Sequence, residues 1–175
     1  SADGRIDKFD IIADRMMADY VQSIQLAPGG VVTDIYSTEG NEAGKIDLIH
    51  DKDRGEIVNY GIDHDLLVIH GPFELKQGGY GIAIRNPVFL QDENGNSYFW
   101  GLTIVIIKVP EIFDNSINAL KTFGYDFVLS RKSPEITGEK EIVVCQSEKE
   151  PVKPFSRQFK LGVSTWTIQV AATDW

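Results

Sequence analysis

Two long runs of β-favouring residues, 79–89 and 97–108, flank the segment Asp92-Glu93-Asn94-Gly95-Asn96, and no other feature constrains the fold as much. Asn94 and Gly95 tolerate the positive φ that a tight primed turn needs, so the two runs are expected to be antiparallel neighbours in one sheet. A hairpin of that length must bury at least one face, which makes a sheet the organising layer of the chain. Strand residues alternate faces. Ala83 and Arg85 therefore share one side and Ile82 and Ile84 the other, while Phe99, Gly101, Thr103 and Val105 oppose Trp100, Leu102, Ile104 and Ile106.

The segments around this hairpin are mixed. Ile6, Phe9, Ile12, Met16 and Tyr20 recur at helical spacing with Asp7, Asp10, Asp14 and Asp19 between them, predicting an amphipathic helix over 6–22. Two short strands, 23–27 and 31–36, meet at the turn Pro28-Gly29-Gly30, and 37–45 is polar and glycine-rich, hence loop. A short helix is expected over 53–63, with Asp51 or Asp53 capping it. Residues 66–70 form a strand that should stop at Gly71-Pro72, and Gly78-Gly79 is a turn leading into the hairpin. Pro110 stands where a helix over 110–120 can begin. Further strands are expected at 125–129, 141–145, 159–163 and 165–170. The order of elements favours α+β with an antiparallel sheet over a doubly wound parallel one.

At 175 residues the chain can build one full core, or one core and a smaller lobe. Its net charge of −9 and the lack of any Lys/Arg cluster argue against nucleic acid as a partner. Residues 1–65 carry 14 acids against 6 bases, so the acidity is concentrated at one end. The longest uncharged apolar run, 102–107, is far too short to span a bilayer.

The usual signs of catalysis are missing. There is no nucleophile elbow and no phosphate-binding loop, and His50, His64 and His70 have no metal-ligand spacing, so a structural or surface role suits each. Neither a metal nor a cofactor is expected. The segment 92–97 lacks the glycine and terminal glutamate positions of a calcium loop. Asp47, Asp51 and Asp53 read as a solvated face, and Cys145, in an apolar run, as an inert thiol. Arg85 is the exception. A guanidinium among Ile82, Ala83, Ile84 and Val88 needs a partner: an acid from the N-terminal part of the chain, or an anionic or carbonyl group of a ligand in a cavity. Thr103, the polar residue within 102–107, poses a milder form of the same question.

Several motifs occur together and in order: Gly71-Pro72-Phe73, Gln77-Gly78-Gly79, Arg85-Asn86-Pro87-Val88-Phe89, Phe99-Trp100-Gly101, Gly124-Tyr125-Asp126-Phe127 and Trp166-Thr167-Ile168-Gln169-Val170. With Ile24 to Val32 and Asn41-Glu42-Ala43-Gly44 upstream, this set resembles the CHASE domain, the cyclase/histidine-kinase-associated extracellular sensory domain, in its bacterial form. The resemblance implies a PAS-like sensory fold: an N-terminal signalling helix over 1–22, a membrane-distal ligand-sensing lobe over 23–110 and a smaller, β-rich membrane-proximal lobe over 111–175. It also implies an extracytoplasmic position between two membrane spans of a longer chain, a histidine kinase or diguanylate cyclase as parent, and a homodimer with contacts from the N-terminal helix. The partner would be a small molecule of unknown identity, and the domain would have no catalysis of its own. Candidate ligand-contacting residues on this reading are Arg85, Thr103, Gln77, His70, Trp100 and Tyr60. The adenine-type ligand of plant members is not carried over, because none of Asp34, Asp47 and Asp51 aligns securely with the aspartate those members use. Two other readings remain: a protein-interaction domain with a vestigial pocket, and a small soluble enzyme using Asp47, Asp51, His64 and Arg85.

Overall fold

A computed structural model describes residues 8–37 and 46–173. The central hairpin forms as its sequence demands. Strands β4 (Tyr80–Gln91) and β5 (Ser97–Val109) pair antiparallel along their whole length. Their turn is wider than a primed two-residue one. Gln91 faces Ser97, Gly95 takes the positive φ of 79°, and the Asp92 carboxylate accepts the Asn94 and Asn96 N–H groups at 2.9 Å. Side-chain capping by Asp92 competes with the tighter turn and prevails.

Strand β1 (Val21–Pro28) adds to the free side of β5, β2 (Asp34–Tyr36) to β1, and β3 (Val68–Glu74) to β4, giving one antiparallel sheet in the order β2-β1-β5-β4-β3. The expected hairpin through Pro28-Gly29-Gly30 is β1–β2. Gly101 is required where β5 meets β1, because a Cβ there would lie 2.8 Å from Pro28 Cα and closer still to the Ala27 carbonyl. Strand β3 does not stop at Gly71-Pro72. The chain takes up the imino acid in an irregularity between His70 and Phe73 and continues, which an edge strand permits.

Helix α1 (Phe9–Met16) ends well before residue 22. Met17 is extended, the Lys108 N–H donates to the Tyr20 carbonyl at 2.7 Å, and Val21 pairs with Ile107, so sheet pairing overrides the helical period that continues in the sequence. Residues 6 and 7 of the expected helix, and all but Ser37 of the expected loop over 37–45, lie outside the described residues. Helix α2 (Gly55–His64) follows a turn in which Asp51 accepts the Asp53 and Arg54 N–H groups. The segment after Pro110 begins as a 3-10 turn (Glu111–Phe113) and becomes helix α3 (Asp114–Thr122).

A second sheet holds β6 (Tyr125–Lys132), β7 (Ile142–Gln146), β8 (Phe155–Leu161) and β9 (Ser164–Ala172) in the order β7-β6-β9-β8. Strand β8 lies earlier than the expected 159–163. Gly162, at φ 58°, makes a tight turn with Val163, and the Val163 N–H donates to the Leu67 carbonyl at 2.9 Å, which ends β8 at Leu161.

One face of the first sheet is covered by α2 and the segment leading into it, with Ala27, Val32, Leu48, Val58, Val68, Leu102, Ile104 and Val163 in the shared core. The opposite face carries Ile69 and Ile82, which pack with Val144 and Trp166 of the second sheet. Near β2, the fully buried Ala13 and a hydrogen bond from the Tyr36 hydroxyl to Asp14 fix α1.

Candidate functional site

The strand register assembles the site. One cross-strand row reads Gln25, Ile104, Arg85, Val68, and the next reads Ser23, Ile106, Ala83, His70. Both rows point to the α2 side. Ala83 keeps the middle of the second row low, Phe73 of β3 closes one end, and the face is roofed by Val32, Ile46, Leu48 and Arg54. Between floor and roof lies a cavity of about 170 Å³, to which Gln25, His70, Arg85, Ile104 and Ile106 contribute from the sheet.

Arg85 is its anomaly. The residue is only 5% exposed, yet Nε and Nη1 have no hydrogen-bond partner and the guanidinium makes no ion pair among the described residues. Burial, and then the charge of Arg54, push its pKa down to about 10, so it is still a cation at neutral pH. Asp51 opposes the shift but is committed elsewhere, to Arg54 Nη2 at 2.7 Å and to two backbone N–H groups. Arg131, the other deeply buried arginine, shows the usual solution. It is 1% exposed, and its guanidinium donates to the Gly71 carbonyl through Nε and Nη2 (2.8 and 2.6 Å), to Ser133 and to Glu139. A buried guanidinium without such acceptors is costly.

The rest of the cavity is electropositive and apolar. Burial first, then the charges of Arg85, Arg131 and Arg54, hold His70 down at about 4, so its imidazole is neutral at pH 7. Gln25 is buried and donates from its amide to Ser23 Oγ at 3.1 Å. No aspartate or glutamate is among the described lining residues.

Of the six residues expected to contact a ligand, the fold brings Arg85 and His70 into this cavity. Thr103 pairs with Leu26 and Asn86, one position out of step with Arg85, and so belongs to the opposite face of the sheet. Trp100 is the extra residue of a bulge between the Phe89–Phe99 and Val88–Gly101 pairs. Gln77 lies exposed in the β3–β4 turn. Tyr60 stacks on His64 at 4.0 Å and lines a separate cavity of about 670 Å³ between α2 and the second sheet. Of the residues of the enzyme reading, only Arg85 lines the 170 Å³ cavity. Asp47 instead holds His50 at 2.7 Å on the surface. Cys145 is half-buried, and burial pushes its thiol up to about 11. Sequence reasoning missed Gln25 and Arg54. Gln25 sits in a run that alternates weakly, and Arg54 looks like any first-turn helix residue until the segment over 46–54 folds back on the sheet.

No protein-family model and no curated protein matches the chain. Solved structures do. An extracellular ligand-binding receptor from Desulfohalobium retbaense superposes with a TM-score of 0.64 at 13% identity, over 96% of this chain and 34% of the receptor. The ligand-binding domain of the Pseudomonas aeruginosa amino-acid chemoreceptor PctC, in complex with GABA, superposes with a TM-score of 0.50 at 14% identity, over 97% of this chain and 85% of that one. The fold is the PAS-like one of extracellular sensory domains. This chain spans about a third of the length of the first neighbour, and the expected α+β sensory architecture is the one observed.

Proposed function

We propose that this chain is an extracytoplasmic sensor domain that binds a small molecule in the cavity between the first sheet and the segment 46–54 leading into α2, without catalysis of its own. The observation that carries the reading is Arg85, a buried, charged side chain with unused donors in a cavity of a fold shared with ligand-binding receptors. In this reading 23–110 is the membrane-distal sensing lobe and 111–175 the membrane-proximal one. The parent is a bacterial CHASE-type receptor anchored on both sides in the membrane, with a histidine kinase or diguanylate cyclase as its output. It works as a homodimer through α1, a reading supported by Ile11, Ile12 and Met16, which that helix leaves exposed. The ligand biases one of two arrangements of the lobes, by no more than its difference in affinity for them.

A thermal-shift screen of small metabolites tests the binding claim, since a ligand at 100 times its Kd adds about 2.7 kcal/mol. A hit is expected to disappear in Ile106→Trp, which fills the cavity. A screen with no hits, on protein shown to be folded, would instead favour a protein-interaction domain with a vestigial pocket. For the parent receptor, hydrophobic segments of about 20 residues are expected on both sides of this chain in its gene.

A further inference from the structure

We propose that the cavity takes a short unsubstituted monocarboxylate, of about six heavy atoms or fewer, and rejects amino acids. The proposal rests on the sensor reading and names the chemistry of its ligand.

Three observations converge. First, the Arg85 guanidinium lines the cavity and has no acceptor among the described residues, its Nε and Nη1 being fully buried, and a carboxylate is the planar anion that a guanidinium fits best. Second, the volume is small. A cavity of about 150 Å³ holds a benzene ring, so about 170 Å³ admits acetate, propionate or butyrate whole. Third, the charges around the cavity set the sign and number of ligand charges. Arg85 and Arg54 face one neutralising acid, Asp51, which leaves one positive charge over. One carboxylate balances it.

The same geometry excludes the alternatives. An ammonium group would meet two guanidinium groups and no carboxylate among the described lining, so the zwitterion of an α- or γ-amino acid gains at one end and loses at the other. Inorganic phosphate has no use for the aliphatic wall of Val32, Leu48, Ile104 and Ile106, against which an alkyl tail would lie. Burying each methylene of that tail adds affinity until the cavity is full.

The test is calorimetric titration of the 175-residue chain with acetate, propionate, butyrate, GABA, alanine, butyramide and phosphate at pH 7. Affinity is expected to rise from acetate to butyrate. GABA, alanine, butyramide and phosphate are each expected to bind at least tenfold more weakly than butyrate, and Arg85→Gln to weaken butyrate at least tenfold. The circular dichroism of Arg85→Gln is compared with that of the parent to show that it is folded, and Val32→Phe, which shortens the cavity without touching the charge, is expected to reverse the order of butyrate and acetate. Equal affinity for GABA or butyramide, or full affinity in folded Arg85→Gln, overturns the monocarboxylate proposal and leaves the sensor reading standing. Failure of every compound in this set, with binding of some other metabolite that is lost in Ile106→Trp, overturns it likewise. Failure of every compound in the wider screen overturns the sensor reading itself.

Discussion

At the scale of single residues, the two buried arginines make opposite predictions. Arg131 has acceptors for its guanidinium, whereas Arg85 has unused donors. Replacing an uncompensated buried charge by an apolar side chain of similar length removes a desolvation penalty and leaves no partner stranded. Arg85→Met is therefore expected to stabilise the ligand-free protein, by about 1–3 kcal/mol in urea denaturation. Were Arg85 half of an internal ion pair, the same change would cost about 3–5 kcal/mol, and that outcome would remove it from the ligand site. His70 gives a pH signature. The folded protein resists protonating it down to about 4, against about 6.5 for the unfolded chain, so between those values the unfolded state binds more protons. Stability is thus expected to fall as pH drops from about 6.5 towards 4, with no contribution from this group at pH 7 and above. Its slope is at most about 1.4 kcal/mol per pH unit, and lower in practice because the ring is partly solvated. Burial sets most of this, and the charges of Arg85, Arg131 and Arg54 add to it, with Glu139 opposing. Urea midpoints across that range should lose part of their slope in His70→Asn.

At the scale of elements, much of the structure is local and readable. The β4–β5 hairpin, α2 and the β1–β2 hairpin follow from periodicity and turn residues. The departures each have a non-local cause. Met17 to Tyr20 continue a helical pattern yet leave the helix because β5 offers Val21 a pairing partner. Strand β8 is displaced because Gly162 turns against the Leu67 backbone, just ahead of β3. Gly162 is therefore a good test of element placement. It takes a positive φ, and a Cβ there would run into the Leu67 carbonyl. Gly162→Ala is expected to destabilise by more than the roughly 1–2 kcal/mol of the left-handed backbone alone, measured as a lowered denaturation midpoint. Gly138→Ala, in an open turn at nearly the same φ, should lose only the backbone part.

At the scale of the whole molecule, Arg131 is a polar link between the sheets, beside their shared apolar core. It rises from β6 and donates twice to the Gly71 carbonyl, one residue after His70 of the cavity wall. Loss of this link in Arg131→Met is expected to cost about 3 kcal/mol, since it strands a carbonyl and the partly exposed Glu139. Hydrogen exchange should rise in β3 and β6 together, and a change confined to one of them would mean that the sheets are not coupled through this residue. The route from cavity to second sheet is then two residues long.

The sequence by itself determined where most of the strands lie, that the longest two are a hairpin, that Ala83 and Arg85 share a face, and that Arg85 is out of place without a partner. These are consequences of alternation, turn chemistry and the cost of burying charge, and they need no distant contact. Register took two compensating shifts. Asp92 capping widens the turn by a residue and the bulge at Trp100 takes the shift back, so Arg85 faces Ile104, as a two-residue Asn94-Gly95 turn would also place it, with Thr103 turned to the other side. Tertiary structure also decided that Gln25, Arg54 and His70 surround Arg85, because β1, β3 and the segment before α2 reach it across gaps in sequence that no local pattern spans. A charge without a partner is visible in one strand, but the cavity that gives it a purpose exists only once four strands and the segment before α2 have closed around it.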